Sequence, residues 1–323
     1  MYHVCLLYSK FENQTEKERE KNPHGKEQME KTVVAIQSAL EHNGYKVSLV
    51  PASLSMLDEI NELENVDVIF NACTGMNSKR EQANIVGMLE LIDIPFVGSD
   101  LSTQIIGLHK SLTKNVFRNF DIPTANFQVF STGKEELFED LEFPLMVKPE
   151  SEGSSLGITE QSVVHNKEEA YERINYVINE FNQKALVEEF LPGKEFTVGV
   201  LGTENPEILP ILEISFPEDN KDKFMSLMVK AEDRVIKTCP AEIDEELETT
   251  IKNLVLKAYS VLGCTEYSRV DVRLDKDGLP NLIELNTMPG LQPVYSDFPY
   301  VAEKGGYDFN SLIKVLVDEA LKK

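Results

Sequence analysis

Short apolar runs alternate with helical spacing through the first hundred residues. HVCLLY (3–8), YKVSLV (45–50) and VDVIFN (66–71) read as buried strands. Between the first two, Val33, Ile36 and Leu40 recur at helical intervals over 27–43, and Gly44 supplies the stop. NIVGMLELI (84–92) is helical, and PFVGS (95–99) closes the unit. The polar stretch from Ser9 to Lys26 predicts a loop. Such βαβ alternation implies a small parallel sheet with helices on its faces. After Ser99 the pattern changes. A helix is predicted over 110–120, ending before Pro123. Strands follow at FQVF (127–130), PLMVKP (144–149) and LGITEQS (156–162), then a helix over 167–181. From Ala185 the chain is rich in strands: ALVEEFL, KEFTVGVLG, EILPILEI and RVIKTCP. A long helix over 244–262, a hairpin over 267–285 and a terminal helix over 310–321 complete the α/β (α+β) pattern, with no internal repeat.

At 323 residues the chain suits two or three packed lobes rather than one core. Its 41% hydrophobic and 27% charged content is that of an ordinary globular protein. The net charge of -23 excludes a protein that coats nucleic acid, which needs a basic footprint, but not one that binds a single nucleotide. Cys5, Cys73, Cys239 and Cys264 form no CxxC pair and read as buried thiols in a reducing cytoplasm. No run approaches the ~18 consecutive apolar residues of a membrane span, so a cytoplasmic protein with no membrane or nucleic-acid partner is expected.

The hairpin concentrates charge. Asp277-Gly278 lies between two alternating runs, a strong signal for a two-residue turn. Counting outward from it, Asp271 falls opposite Glu284 and Arg269 opposite Asn286, all four on one face. Val270, Val272, Ile283 and Leu285 then project into a core, and Pro280 falls in a non-hydrogen-bonded pair. Two directly opposed carboxylates repel. A hard divalent cation with Asn286 as a third oxygen ligand would offset that repulsion. A solvated face, with Arg269 simply pairing the acids, fits the pattern equally well.

The wider motifs favour the first reading. EYSRVDVRL followed by IELNTMPGLQPVYSDFP (283–299), PLMVKPESEGSSLGI (144–158) and LVEEFLPGKEFTVGVLG (186–202) occur in order, with HKSLTK (109–114) ahead of them. In these the chain resembles the D-alanine–D-alanine ligase family of the ATP-grasp superfamily, from about residue 66 to the end. The resemblance implies an ATP-grasp fold: a Rossmann-like N-terminal pre-ATP-grasp lobe (1–98) and two ATP-clasping α+β lobes (99–187 and 188–323). It implies ATP and Mg2+ as cofactors, two ions, with Mn2+ as a substitute. By residue, it implies that Lys110, Lys148 and Lys230 grip phosphates and that Ser154 and Ser155 belong to a loop closing over the terminal phosphate. Glu188, Phe190 and Leu191 would contact adenine, and Glu195 the ribose. Asp271, Glu284 and Asn286 would hold the metal. Arg269 and the Gly290 N–H would face the reacting centre, and Ser296 the second amino acid's carboxylate. The expected reaction is ADP-forming ligation of a carboxylate to an amine through an acyl phosphate. A homodimer paired through the N-terminal lobe is also implied.

The substrate elements depart from the family pattern. The glutamate that holds the first amino acid has its best candidate in Glu27, without the surrounding motif. CTG (73–75) replaces a histidine-glycine pair, so Lys79, Arg80 and Glu81 become candidates for shaping the pocket, and Ala231 stands where a tyrosine is expected. Three readings stay open: a D-alanine–D-alanine ligase, a related ligase acting on a different acid or amine, and a non-catalytic ATP-binding module.

Overall fold

A computed structural model describes residues 1–11, 19, 24–216, 224–231 and 234–323, without the side chains of Lys79, Lys230 and Ala231. The N-terminal unit contains β1 (His3–Tyr8), α1 (Gly25–His42), β2 (Lys46–Pro51), α2 (Met56–Asn61), β3 (Val68–Asn71) and α3 (Gln82–Leu89). Its strands form a parallel sheet in the order β2-β1-β3. The central strand, β1, is apolar on both faces because helices cover both. α1 lays Val33, Ile36, Ala39 and Leu40 against one face, and Gly44 turns the chain with φ 81. Most of the expected loop at 9–26 lies outside the described residues. Pro95–Ser99 adds only a bridge from Phe96 to Ile69, because the Gly98 N–H is taken up by Glu266 Oε2 at 2.9 Å.

The middle unit starts with α4 (Leu101–Leu108), a helix the periodicity did not mark, whose N-cap Asp100 accepts from the Thr103 N–H. Then come α5 (Lys110–Asn119), β4 (Phe127–Phe130), β5 (Leu145–Pro149), β6 (Val163–Val164), α6 (Lys167–Phe181) and β7 (Ala185–Glu189). The strands form an antiparallel sheet in the order β4-β7-β5-β6. The expected strand at 156–162 is instead a turn and a single 3₁₀ turn. Thr159 and Ser162 form a capping box there, and only Val163–Val164 pairs with β5.

The last unit holds β8 (Glu195–Leu201), β9 (Glu207–Ile208), β10 (Leu212–Ser215), α7 (Leu227–Ala231), β11 (Ile236–Thr238), α8 (Glu245–Val261), β12 (Tyr267–Leu274), β13 (Pro280–Asn286), α9 (Asp297–Lys304) and α10 (Phe309–Ala320). Its antiparallel sheet runs β11-β10-β8-β12-β13, with β9 also on β8. α8 buries Ile251, Val255, Ala258 and Tyr259 against it.

The hairpin reaches its expected pairing by a different route. Asp271 does lie opposite Glu284, and Arg269 opposite Asn286. The turn, however, has three residues: the Asp275 N–H donates to Leu279 O, and Gly278 takes φ 80. That shifts the register by one, and a bulge at Ile283 shifts it back. Leu282, not Ile283, therefore joins Val270, Val272 and Leu285 in the core. Pro280 pairs with Leu274, whose own N–H and C=O bond to Lys194 and Gly193 on the other side, so the proline ring removes no ladder bond.

The chain's end closes on its start. Leu312, Ile313, Leu316 and Val317 of α10 share one core with Val4, Leu6, Val68 and Phe70. We propose the three-lobe division given above with one adjustment: its second boundary, 187/188, cuts β7, which completes the middle sheet, and is better drawn just after it. Of the thiols, Cys5, Cys73 and Cys264 are buried as expected; Cys239 is only partly so. No helix among the described residues is long and apolar enough to cross a membrane.

Candidate active site

The two antiparallel sheets face each other across a cleft. Lys148 of β5 and Glu188 of β7 line it from the middle sheet; Glu195, Arg269, Asp271 and Glu284 line it from the other. Phe190 and Leu191, just beyond β7, and the Ser154–Ser155 loop complete its walls. Beyond Arg269 a second cavity opens. It is lined by Gln28 and Met29 of α1, Thr74, Asn286, Gly290, Gln292 and Ser296. Arg269, Ser154 and Asp297 border both spaces.

Strand alternation explains the cleft's charges. Positions 269, 271 and 273 share one face of β12. Arg269 grips Asp271 with two bonds, Nε to Oδ1 at 3.0 Å and Nη2 to Oδ2 at 2.8 Å, and lies 3.9 Å from Glu284. Thr197 Oγ1 donates to Asp271 at 3.0 Å. Asn286 Nδ2 donates to Glu284 at 3.0 Å and to Asp271 at 3.4 Å. Burial pushes the Asp271 carboxyl up, aided by Glu284 and opposed by Arg269. Burial would also raise Glu284, but Lys110, Lys148 and Arg269 outweigh it and hold that carboxyl ionised. The face is therefore not a solvated one. Arg269 and the lysines balance its acids.

The lysines converge on the same point. Lys110 opens α5, nearly buried; its ammonium donates to Glu152 O and lies 3.6 Å from Glu284. Lys148 is paired with Glu188 at 2.5 Å. The Glu188 side chain is held at both oxygens, because Lys114, one helical turn after Lys110, lies 2.9 Å from the second; the adenine contact expected of this strand belongs to its backbone and is untouched by these pairs. Burial would raise this carboxyl, but the two ammonium groups hold it down to about 2. Sequence reasoning overlooked Lys114, though its i+4 spacing from Lys110 put both on one helix face. It likewise passed over Arg273, which shares the Arg269 face and donates to Glu195 at 3.1 Å. Burial raises Glu195 to about 7, against Arg273 and with the help of Asp271 and Glu284.

The serine loop turns in left-handed backbone, with φ 56 at Ser154, 58 at Ser155 and 79 at Gly157. A Cβ at Gly157 would sit 2.5 Å from Pro149 Cγ, so that position admits only glycine. Arg173 anchors the loop by donating to Gly157 O at 2.6 Å and Ser162 Oγ at 2.9 Å. At Gly290 a Cβ would meet Ser296 Oγ at 2.7 Å, so the two are neighbours in the second cavity.

Three expectations do not meet the site. Glu27 points to solvent and pairs with Lys31 at 2.6 Å; its neighbour Gln28 faces the cavity instead. Arg80 does not shape that cavity either. It crosses to the middle lobe, donating to Glu152 at 3.0 Å and to Phe181 O at 2.7 Å. Glu81 caps the N–H groups of Met76 and Asn77. Lys230 sits on α7, but its side chain lies outside the described residues, as do those of Lys79 and Ala231.

Two antiparallel sheets gripping a cleft, with lysines on one side and acids on the other, form the arrangement expected of an ATP-grasp ligase. Comparisons with known proteins agree. The family model described as "D-ala D-ala ligase C-terminus" matches residues 116–318. The D-alanine--D-alanine ligase of Pelotomaculum thermopropionicum is 32% identical over 303 residues, covering 90% of this chain and 92% of that protein. The one from Alcanivorax borkumensis is 34% identical over 297 residues, covering 91% and 89%. The crystal structure of the Bacillus anthracis D-alanine--D-alanine ligase complexed with ATP superposes with a TM-score of 0.77 at 23% identity, covering 100% of this chain and 98% of that one, and so shares its fold. The chain belongs to the D-alanine–D-alanine ligase family and is an ATP-dependent ligase.

Proposed function

We propose that the chain joins two amino acids by way of an acyl phosphate, with D-alanine as both acid and amine in the first reading. The observation that carries this is the convergence of Lys110, Lys148, Arg269, Asp271 and Glu284 on one cleft that opens directly into a second cavity. A carboxylate is a poor acyl donor, and transfer of a γ-phosphoryl group gives it a leaving group.

Asp271, Glu284 and Asn286 would hold Mg2+. Two carboxylates and an amide on one strand pair carry the oxygens of a hard set; to serve together, Asn286, whose Nδ2 donates to both acids, would turn its amide oxygen inward, and Asp271 would share its carboxylate with Arg269. Bound there, Mg2+ supplies charge neutralisation at the phosphate oxygens; the number of ions belongs to the proposal. Lys110 and Lys148 bind the same phosphates, and Glu152 O orients Lys110. Glu195 faces the ribose, and Phe190 and Leu191 line the adenine end. Arg269 and the Gly290 N–H then stabilise the oxyanion formed when the amine attacks; one such donor is worth about 3–4 kcal/mol. The Ser154–Ser155 loop borders both spaces and excludes water from the intermediate. Ser296 orients the amine substrate's carboxylate. We further propose a cytoplasmic location and pairing through the N-terminal lobe, where Val34, Leu54 and Leu91 expose apolar side chains.

A second reading, a ligase for a different acid or amine, is favoured by Glu27, which turns away from the cavity. Incubation with Mg-ATP and a panel of D- and L-amino acids tests both, with phosphate release and product mass as readouts. A D-alanyl-D-alanine product supports the first reading and another dipeptide the second. No acid-dependent phosphate release with any pair would refute both.

A further inference from the structure

Lys237 stands on the cleft face of β11. Val235 and Lys237 border the cleft, while Ile236 between them is 65% exposed, as strand alternation requires. Ile214 of β10, paired with Lys237 across the ladder, borders the cleft too. The Lys237 ammonium lies 2.9 Å from an Asp297 carboxylate oxygen, and both side chains keep contact with solvent, 25% and 19% exposed. Asp297, at the start of α9, is the one acid among the described residues that borders both the cleft and the second cavity. Burial works against the charge on Arg269, but Asp271, Asp297 and Glu284 outweigh it, so Asp297 lies within electrostatic reach of that guanidinium. Charges therefore alternate across this end of the cleft. Lys237 is followed by Asp297, Arg269 and the two acids of the hairpin, with Lys110 3.6 Å beyond Glu284.

Building on the ligase reading above, we infer that Lys237 is a further phosphate-binding residue, whose ammonium leaves Asp297 to hold the terminal phosphoryl group of ATP. Arg269 and Asp297 mark the end of the cleft that opens into the second cavity. A phosphoryl group must lie at that end to reach a carboxylate held beyond it. Lys110 and Lys148 approach from the middle unit, and Lys237 approaches from the last one. The group would then be gripped by ammonium charges from both sides. An ion pair in contact with water is held only weakly, and the four-carbon stem of a lysine swings freely. The Asp297 pair is thus a resting position that a more highly charged phosphate can outbid.

Binding tests this independently of turnover. In the presence of Mg2+, the protein is titrated by calorimetry with ADP and with the non-hydrolysable β,γ-imido analogue of ATP. Lys237→Met should weaken the analogue about tenfold or more, the scale of one hydrogen bond to a charged group. The Kd for ADP should stay within about twofold, which also reports an intact fold. Lys237→Arg should recover most of the loss, because a guanidinium also binds phosphate. A lysine that only neutralised Asp297 would lose its effect once that acid is gone, so Lys237→Met is repeated in an Asp297→Asn background. There it should weaken the analogue as much as before. The inference is overturned by wild-type affinity for the analogue in Lys237→Met, by equal losses for ADP and the analogue, or by an effect that vanishes in the Asn background. A wild type that binds neither nucleotide sinks this inference and the ligase reading together. Nucleotide binding without acid-dependent phosphate release counts against the ligase chemistry alone and leaves the Lys237 assignment standing.

Discussion

Glu188 and Lys148 meet at 2.5 Å beside the cleft between the two antiparallel sheets, and the pair is held from behind by Lys114, which is almost wholly buried. Three charges out of water are tolerated only together. Glu188→Gln leaves Lys114 uncompensated and should lower stability by about 3–5 kcal/mol. Lys114→Met should cost less, because Lys148 still faces the carboxylate. Urea denaturation at pH 7 measures both. The pH dependence has a definite sign. Glu188 titrates near 4.5 when unfolded and about 2 when folded, so its contribution is complete above 4.5 and fades as pH falls toward 2. The Gln variant should lack that part of the acid transition.

Glu195 behaves in the opposite sense. Its carboxyl is raised from 4.5 to about 7 in the folded protein. Its contribution is therefore complete below 4.5 and is lost as pH climbs through 7, by up to about 3 kcal/mol. In metal-free, nucleotide-free protein, stability measured from pH 4.5 to 8 should decline. Glu195→Gln should flatten that decline, and an unchanged slope would contradict the assignment.

Glu284→Gln tests the proposed metal site. The amide keeps the shape and can still bond Asn286, so melting should shift by only a few degrees. Turnover should fall at least about a hundredfold, the scale of losing preorganised charge at a reacting centre. Acid-dependent phosphate release at the wild-type rate would remove Glu284 from the chemistry.

Far from the cleft, Lys323 pairs with Glu266 at 2.8 Å and donates to Gly98 O at 2.8 Å. Glu266 is fully buried, and burial raises its carboxyl against the pull of Lys323. Lys323→Met should destabilise the fold by about 3 kcal/mol and leave nucleotide affinity unchanged. Thermal melting beside ADP titration separates the two effects.

The sequence revealed the chemistry better than the geometry that serves it. Alternation along β12 and β13 was enough to put Arg269, Asp271, Glu284 and Asn286 on one face, because period-two patterning survives tertiary packing. The same count missed both the three-residue turn and the bulge. Their offsets cancel, so the correct pairing emerged from an incorrect path. Glu27 illustrates a different limit: helical periodicity marks a buried stripe but cannot tell which of two adjacent polar residues at its margin looks into a cavity formed by a distant part of the chain. α4 and α9 escaped notice because one buries the polar Thr103 and Gln104 while exposing Ile105, and the other follows a proline-rich segment. Lys114 was legible from spacing, but its buried role depends on Glu188, seventy-four residues away.

The bulge at Ile283 has an effect no regular strand could produce. Because the chain takes an extra step there, Ile283 and Glu284, though adjacent, look into the same cleft, while Leu282 and Leu285 on either side stay in the core. One stretch of backbone thus offers a greasy surface and an anionic one side by side. Excising Ile283 would leave the acids opposed and the strand regular, so the apolar wall of the cleft and its anionic face are separable properties of this hairpin.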